Sequence, residues 1–386
     1  MEKNNPFKLQ GYTAKKYFCD REKELALLHE NFENDRNTVL FSWRRLGKTS
    51  LIRFFLKELE RSKKIETLYI DLLATRDSQE AIRAIATSTY ERFGETSKTG
   101  LTQSLQQLLG KLGVEMGFDP QTGLPSIGFS LNRSNENPEV SLTAIGEYLM
   151  TKKTKVIIAI DEFQQISHYP DSKGEAIFGS WMQNFPELRF VFSGSHRGIM
   201  TSMFTSENRP FYRSAQLMSL DTIDQSKYRS FINSHFKSGG KQIEEAALDA
   251  IFDWSWGQTY TIQLICNKLY GRYNRVSLKE FETIIDEILG QESTFFSQLA
   301  NLLSKTQWNV LTAIAREGRV KNPLSSKFLK SNNLKAASSV GTALKMLQNK
   351  EIVVRDGDAY RVHDILFMRW MQQLLLFGNR QTIHHP

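Results

Sequence analysis

The sequence predicts an α/β fold: a parallel five-stranded sheet with helices on both faces, then a helical lid and a C-terminal winged helix-turn-helix. Three observations carry this. Short apolar runs of strand length alternate with amphipathic stretches over the first two thirds of the chain. From 224 to 290 the pattern is purely helical. From Ser297 onward it reads as three helices, then two β-branched runs flanking the Asp356-Gly357-Asp358 hairpin turn.

Taken in order, Asp20-Arg21-Glu22-Lys23-Glu24-Leu25 opens an amphipathic helix in which Leu25, Leu27 and Leu28 are apolar and the acidic first turn suits the helix dipole. Residues 37–41 form a short buried strand, and residues 48–60 a helix with Leu51, Ile52, Phe55 and Leu56 on one face. Four more buried strands are predicted at 67–71, 155–160, 188–192 and 216–220. Residues 95–137 read as an insertion, with one helical pattern over 101–112 and a hairpin near 124–131. The expected division is therefore 1–222 for the sheet domain, 223–295 for the lid and 296–386 for the winged helix.

At 386 residues the chain exceeds the size of one growing core, so two or three packed units are expected. Its longest apolar run, Val156-Ile157-Ile158-Ala159-Ile160, is strand-sized and far short of a bilayer span. The first residues lack a secretory pattern, and Cys19 and Cys266 lie far apart, so a cytoplasmic protein without disulfides and without a membrane partner is expected. The net charge of +8 is localised. Residues 301–386 hold 13 Lys/Arg against 5 Asp/Glu, leaving 37 against 37 for residues 1–300. A basic C-terminal module fits an acidic partner such as nucleic acid, or serves as a solvated surface that keeps the protein soluble.

Between the first strand and its helix runs Ser42-Trp43-Arg44-Arg45-Leu46-Gly47-Lys48-Thr49-Ser50. Amides at a helix start point at anionic oxygens, and the helix dipole favours negative charge there. In such a loop Gly47 lets the backbone come close, Lys48 reaches the β and γ phosphates of a nucleotide, and the Thr49 hydroxyl coordinates Mg²⁺. Ser42 stands where the full pattern has Gly, and it can make the same turn if its φ is negative. Arg44 and Arg45 are either phosphate contacts or surface charges facing a partner.

The strand at 155–160 ends in Asp161-Glu162, at the carboxyl edge where ligands of open α/β sheets sit. Asp161 is expected to hold Mg²⁺ and Glu162 to orient or deprotonate the attacking water, the competing account being a helix cap beside a solvated Glu.

Asp20 to Leu25, Arg44 to Leu51, and Ile160-Asp161-Glu162-Phe163-Gln164, in that order, resemble the archaeal-type ATPases of the signal-transducing branch of P-loop ATPases, related to the AAA+ class. Phe192-Ser193-Gly194-Ser195, Arg209-Pro210-Phe211-Tyr212-Arg213 and the tail extend the resemblance over nearly the whole chain apart from 95–137. It implies ATP as substrate with Mg²⁺, hydrolysis to ADP and phosphate, and a nucleotide-dependent switch that can form homo-oligomers on binding ATP. It also implies that Ser193 or Ser195 is the sensor of the γ-phosphate or the water, the alternative being a Gly-containing turn. Arg213 is similar in place to the arginine that AAA+ relatives direct at a neighbouring subunit's nucleotide, or else makes a surface ion pair within its own chain. In the lid, Trp256-Gly257-Gln258-Thr259 resembles the family's Gly-x-Pro turn with Thr in place of Pro, and His196 and Arg197 read as cap and surface residues.

In the tail, the second helix of the turn motif is expected over 335–348, with Ala336, Val340, Leu344 and Leu347 inward and Ser338, Ser339, Thr342 and Lys345 outward. With Arg355 and Arg361 on the wing, residues 335–361 form a candidate DNA-contacting surface, and protein docking is the other use of such a module. Trp370, Leu374, Leu375, Leu376 and Phe377 are expected to pack against the lid or the ATPase body.

Overall fold

The computed structural model describes residues 5–9, 15–61, 64–93, 114–118, 125–129 and 138–378. It groups into two compact units, Gln10–Ile223 and Met1–Leu9 with Asp224–Pro386.

The first unit is built on strands β1 (Thr38–Ser42), β2 (Ile65–Asp71), β5 (Lys155–Asp161), β6 (Arg189–Gly194) and β7 (Gln216–Leu220). They form one sheet in the order β2-β5-β6-β1-β7, and every neighbouring pair is parallel. Strand β5 is apolar and buried on both faces, as an interior strand of a parallel sheet must be. Because side chains alternate, Val156, Ile158 and Ile160 join one core, with Val39, Phe190 and Phe192, under helices Ser78–Phe93, Pro138–Met150, Gly174–Asn184 and Arg197–Thr205. Ile157 and Ala159 join the other, with Leu40 and Val191, under helices Glu22–Glu33 and Lys48–Glu60. One hydrophobic strand thus serves two cores.

The expected hairpin near 124–131 is the second half of a larger one, β3 (Val114–Phe118) paired antiparallel with β4 (Pro125–Phe129). The helical pattern over 101–112 lies outside the described residues.

In the second unit, helices Gln225–Ser238, Glu245–Ser255, Thr259–Arg272 and Leu278–Asn301 make the lid. The stretch 224–290 is not purely helical. A parallel pair of two-residue strands, β8 (Gln242–Ile243) and β9 (Arg275–Val276), ties its loops together, too short to leave a period-two pattern. The turn Trp256-Gly257 takes left-handed φ values of 49° and 71°, and Gln258 then starts the next helix with Thr259 at its first position.

The winged helix follows with helices Lys305–Glu317, Ser326–Ser331 and Ala337–Asn349, and a hairpin of β10 (Val353–Asp356) and β11 (Ala359–Val362). Val340, Leu344 and Leu347 are inward, and Ser338, Ser339, Thr342 and Lys345 are exposed. Two expectations fail. Ala336 is the exposed residue before the helix. Arg361 is buried, because Nε donates to Asp356 Oδ2 at 3.0 Å and Nη1 to the Val362 and His363 carbonyls, so it braces the wing from inside and reaches no groove.

The last helix, Ile365–Gly378, packs on the lid within the same unit. Trp370 stacks with Phe367 and meets Phe296 of Leu278–Asn301 at 5.8 Å, while Arg369 donates to the Trp254 and Asp253 carbonyls. Leu374 and Leu375 are half-buried, and Leu376 is exposed. Among the described residues, no helix is long and apolar enough to cross a membrane.

Candidate nucleotide-binding site

Strand β1 delivers the chain into a loop whose shape rests on two left-handed residues, Arg45 (φ 68°) and Gly47 (φ 91°). Gly47 is the residue just before helix Lys48–Glu60 and bears no side chain to obstruct an incoming group. Ser42 is buried with a negative φ, and its hydroxyl donates to the Trp43 carbonyl at 2.8 Å, so the strand exit needs no glycine. Arg44 and Arg45 are exposed and Leu46 is buried in the sheet's second core.

The carboxyl ends of β5 and β6 bring the acidic pair to this loop. Asp161 is 2 % exposed and surrounded by donors: Thr49 Oγ1 at 2.6 Å, Tyr69 OH at 3.0 Å and Ser193 Oγ at 2.5 Å, with Lys48 Nζ at 3.5 Å. Burial pushes its carboxyl up, but the Lys48 charge and the three hydroxyl bonds outweigh burial and hold it below the usual carboxylate range. It is therefore a buried carboxylate that keeps its charge. Burial and the Asp161 charge push the Tyr69 phenol up, so it stays protonated and donates.

Glu162 leaves the strand in a left-handed conformation, φ 53°, which turns its side chain out of the strand's alternation. Its carboxylate accepts from Ser195 Oγ at 2.7 Å and Gln164 Nε2 at 2.5 Å, and lies 3.5 Å from Lys48 Nζ. Neither carboxylate behaves as a helix cap, since the short turn Phe163–His168 begins without a side-chain cap bond.

The structure thus brings Lys48, Thr49, Asp161, Glu162, Ser193 and Ser195 together, with Ser193 on Asp161 and Ser195 on Glu162. It does not bring Arg213. That exposed residue precedes the amino end of β7, whose first residue pairs with Thr38 at the start of β1, at the opposite sheet edge from the loop. Its guanidinium lies over the Tyr212 ring at 5.2 Å.

His196 caps helix Arg197–Thr205, its Nδ1 accepting from Ile199 N at 3.2 Å. Arg197 lies over the Trp43 ring at 5.5 Å and 3.7 Å from Asp221, so it neighbours the loop.

Three residues at the site were not singled out by the sequence. Tyr69 looks like any aromatic of a strand, and only the pairing of Tyr69 with Ala159 and Asp71 with Asp161 puts its hydroxyl beside the Asp161 carboxylate. Gln164 closes the Ile160–Gln164 motif and is only 4 % exposed, but Gln165 follows it directly, and nothing local tells which of the two glutamines turns inward. Arg21 belongs to the opening motif but carried no role.

Thr49 and Asp161 are the pair that fits Mg²⁺. Such an ion takes one or two protein oxygens and completes its shell with phosphate and water, and here a charged carboxylate and a hydroxyl meet at 2.6 Å beside the loop.

Comparison with known proteins places the chain in a family. Residues 18–265 match the family model described as "ATPase domain predominantly from Archaea", and residues 294–373 match a "probable winged helix domain". No curated protein matches the sequence. Among solved structures, a Walker-type ATPase of Pyrococcus abyssi superposes with a TM-score of 0.65 at 19% identity, covering 95% of this chain and 99% of its own. The Aeropyrum pernix ORC1 protein, in complex with DNA, gives 0.55 at 15%, covering 98% of each chain. The Aeropyrum pernix ORC2 protein, in ADPNP–ADP complexes, gives 0.58 at 10%, covering 98% and 99%. The chain belongs to the family of ATPase domains found predominantly in Archaea, and it carries a winged helix domain behind that ATPase domain.

Proposed function

We propose that this protein binds ATP at the loop Ser42 to Ser50, hydrolyses it with Mg²⁺, and works as a nucleotide-dependent switch of the signal-transducing kind whose output is the winged helix. The observation that carries this is the charged, buried Asp161 joined to both Lys48 and Thr49 with Glu162 beside it.

Lys48 would move its charge from the two carboxylates to the β and γ phosphates, and the amides at the helix start would bind the same oxygens. Thr49 and Asp161 would hold the metal, which when bound neutralises phosphate charge. Released by Lys48, Glu162 would orient the attacking water, held in place by Ser195 and Gln164. Ser193 keeps Asp161 aimed. Arg213 would serve a second copy's nucleotide in an ATP-dependent homo-oligomer, since its own site lies at the other sheet edge.

Lys48→Ala should abolish tight ATP binding measured by calorimetry. Glu162→Gln should keep binding and lose turnover by about 100-fold or more, as loss of general base catalysis does. Equal ATP affinity in wild type and Lys48→Ala would sink the assignment.

A second reading, DNA binding by the winged helix, is favoured by one specific feature. Residues 318–350 contain seven Lys/Arg and no Asp or Glu, and Lys327, Lys330, Lys335 and Lys345 among them are exposed beside Ser338, Ser339 and Thr342. Arg355 adds an exposed cation on the wing. Such a surface fits phosphate contacts, so affinity for duplex DNA should fall steeply with salt. No shift of any duplex at low salt would leave protein docking as the output, and light scattering of Glu162→Gln with ATP would then report assembly.

A further inference from the structure

The arginine of the opening motif holds an unusual position. Arg21 is 4 % exposed and has a left-handed backbone, φ 80°, as does Asp20 before it at 58°. Two successive residues in this region cost energy that the surroundings must offset, a pattern found where geometry serves a site. The guanidinium spends its donors on three groups. Nη1 donates to Glu24 Oε1 at 2.7 Å, and Nη2 donates to the Asp221 carbonyl at 2.6 Å and the Leu46 carbonyl at 3.3 Å. Leu46 immediately precedes Gly47 in the phosphate loop, and Asp221 follows β7, two residues before the ATPase unit ends at Ile223.

A trans peptide is planar, with its C=O and N–H pointing in opposite directions. Fixing the Leu46 carbonyl therefore fixes the direction of the Gly47 amide, which sits at a left-handed φ of 91°. We propose that Arg21 is a positioning residue for nucleotide binding: it clamps the Leu46–Gly47 peptide so that the Gly47 N–H faces away from Arg21 and joins the free amides at the start of helix Lys48–Glu60 as a phosphate donor. The same guanidinium ties that peptide to the chain segment leaving the ATPase unit, so phosphate occupancy and the position of Asp221 are read by one side chain. The proposal rests on the ATP site described above.

The test compares ATP binding and steady-state turnover in wild type, Lys48→Ala, Arg21→Ala, Arg21→Lys and Glu24→Gln. Loss of a charge-assisted bond of this kind corresponds to on the order of tenfold in affinity. Arg21→Ala should therefore raise the ATP dissociation constant and KM by that factor, while kcat at saturating ATP stays near the wild-type value because Glu162 and its partners are untouched. Arg21→Lys keeps the charge without the planar fork and should recover only part of the affinity. A purely structural role would instead lower the unfolding temperature and leave KM of the folded fraction unchanged, which overturns the proposal. Should Arg21→Ala not fold, Glu24→Gln, which loosens the guanidinium from the surface, should raise KM two- to threefold, and an unchanged KM there overturns it equally. If wild type binds ATP and Lys48→Ala does not, a normal Arg21→Ala sinks this inference alone. If wild type itself binds no ATP, the site assignment fails and this inference falls with it.

Discussion

At the scale of single residues, the two carboxylates at the end of β5 differ in surroundings, and the proposed division of tasks between them rests on that difference. Asp161 is enclosed by Thr49, Tyr69 and Ser193 and is kept ionised by Lys48, which suits a metal ligand. Glu162 shares Lys48 with Asp161 at 3.5 Å, but its side chain is 16 % exposed and is held otherwise by two neutral donors, which suits a group that must meet water. Ser195→Ala should therefore lower turnover by roughly tenfold through misorientation of Glu162 while ATP affinity is unchanged, as phosphate-release and binding assays would report. An equal loss of affinity would place Ser195 on the nucleotide instead. Ser193→Ala, acting on Asp161, should weaken Mg²⁺-dependent binding.

At the scale of elements, the lid is fastened by charges between its helices. Glu287 on Leu278–Asn301 accepts from Lys268 Nζ at 2.9 Å and pairs with Arg272, both on Thr259–Arg272, and these bonds hold its carboxyl at about 2 instead of the ordinary 4.5. A carboxyl depressed by folding stabilises the fold above its unfolded value and loses that contribution as pH falls through the folded one. Glu287 should thus help stability above pH 4.5 and lose its effect between about pH 4.5 and 2. Thermal unfolding of Glu287→Gln should match wild type near pH 2 and lie below it at pH 7. The surface exposure of this trio keeps the effect modest. The same long helix carries Phe296 against Trp370, so the tail is joined to the lid by an aromatic cluster that hydropathy identifies only as apolar.

At the scale of the whole molecule, the first residues belong to the second unit. Phe7 is fully buried among Phe231, His235, Phe236 and Tyr270, and Asn267 Nδ2 donates to the Phe7 carbonyl at 2.7 Å while Asn5 Nδ2 donates to the Asn267 carbonyl. The chain therefore passes between the units twice, once after Leu9 and once after Ile223. Phe7→Ala should destabilise the Asp224–Pro386 unit by about 3–5 kcal/mol, the cost of emptying an aromatic site, read as a lower unfolding midpoint of that unit. An unchanged midpoint would mean that the segment contributes nothing to it.

Residue type and local period are enough to locate the five strands of the parallel sheet and the residues that meet at the loop, while the short pair β8 and β9 left no trace in them. Strand β5 is legible because a run buried on both faces has to be apolar throughout, and Gly47-Lys48-Thr49 and Asp161-Glu162 are legible because their spacing from strand ends follows from the backbone alone. Ser338, Ser339, Thr342 and Lys345 were placed outward by helical periodicity, which the structure matches. Contacts between distant segments were decided only by the tertiary structure. Tyr69 reaches Asp161 through strand pairing, Arg21 reaches Leu46 and Asp221 across 25 and 200 residues, and Arg361 turns inward because Asp356 and two carbonyls await it. A single sequence records residue type and local period. Which carbonyl or carboxylate a long side chain finds depends on how the sheet orders its strands, and that order is a property of the packed chain.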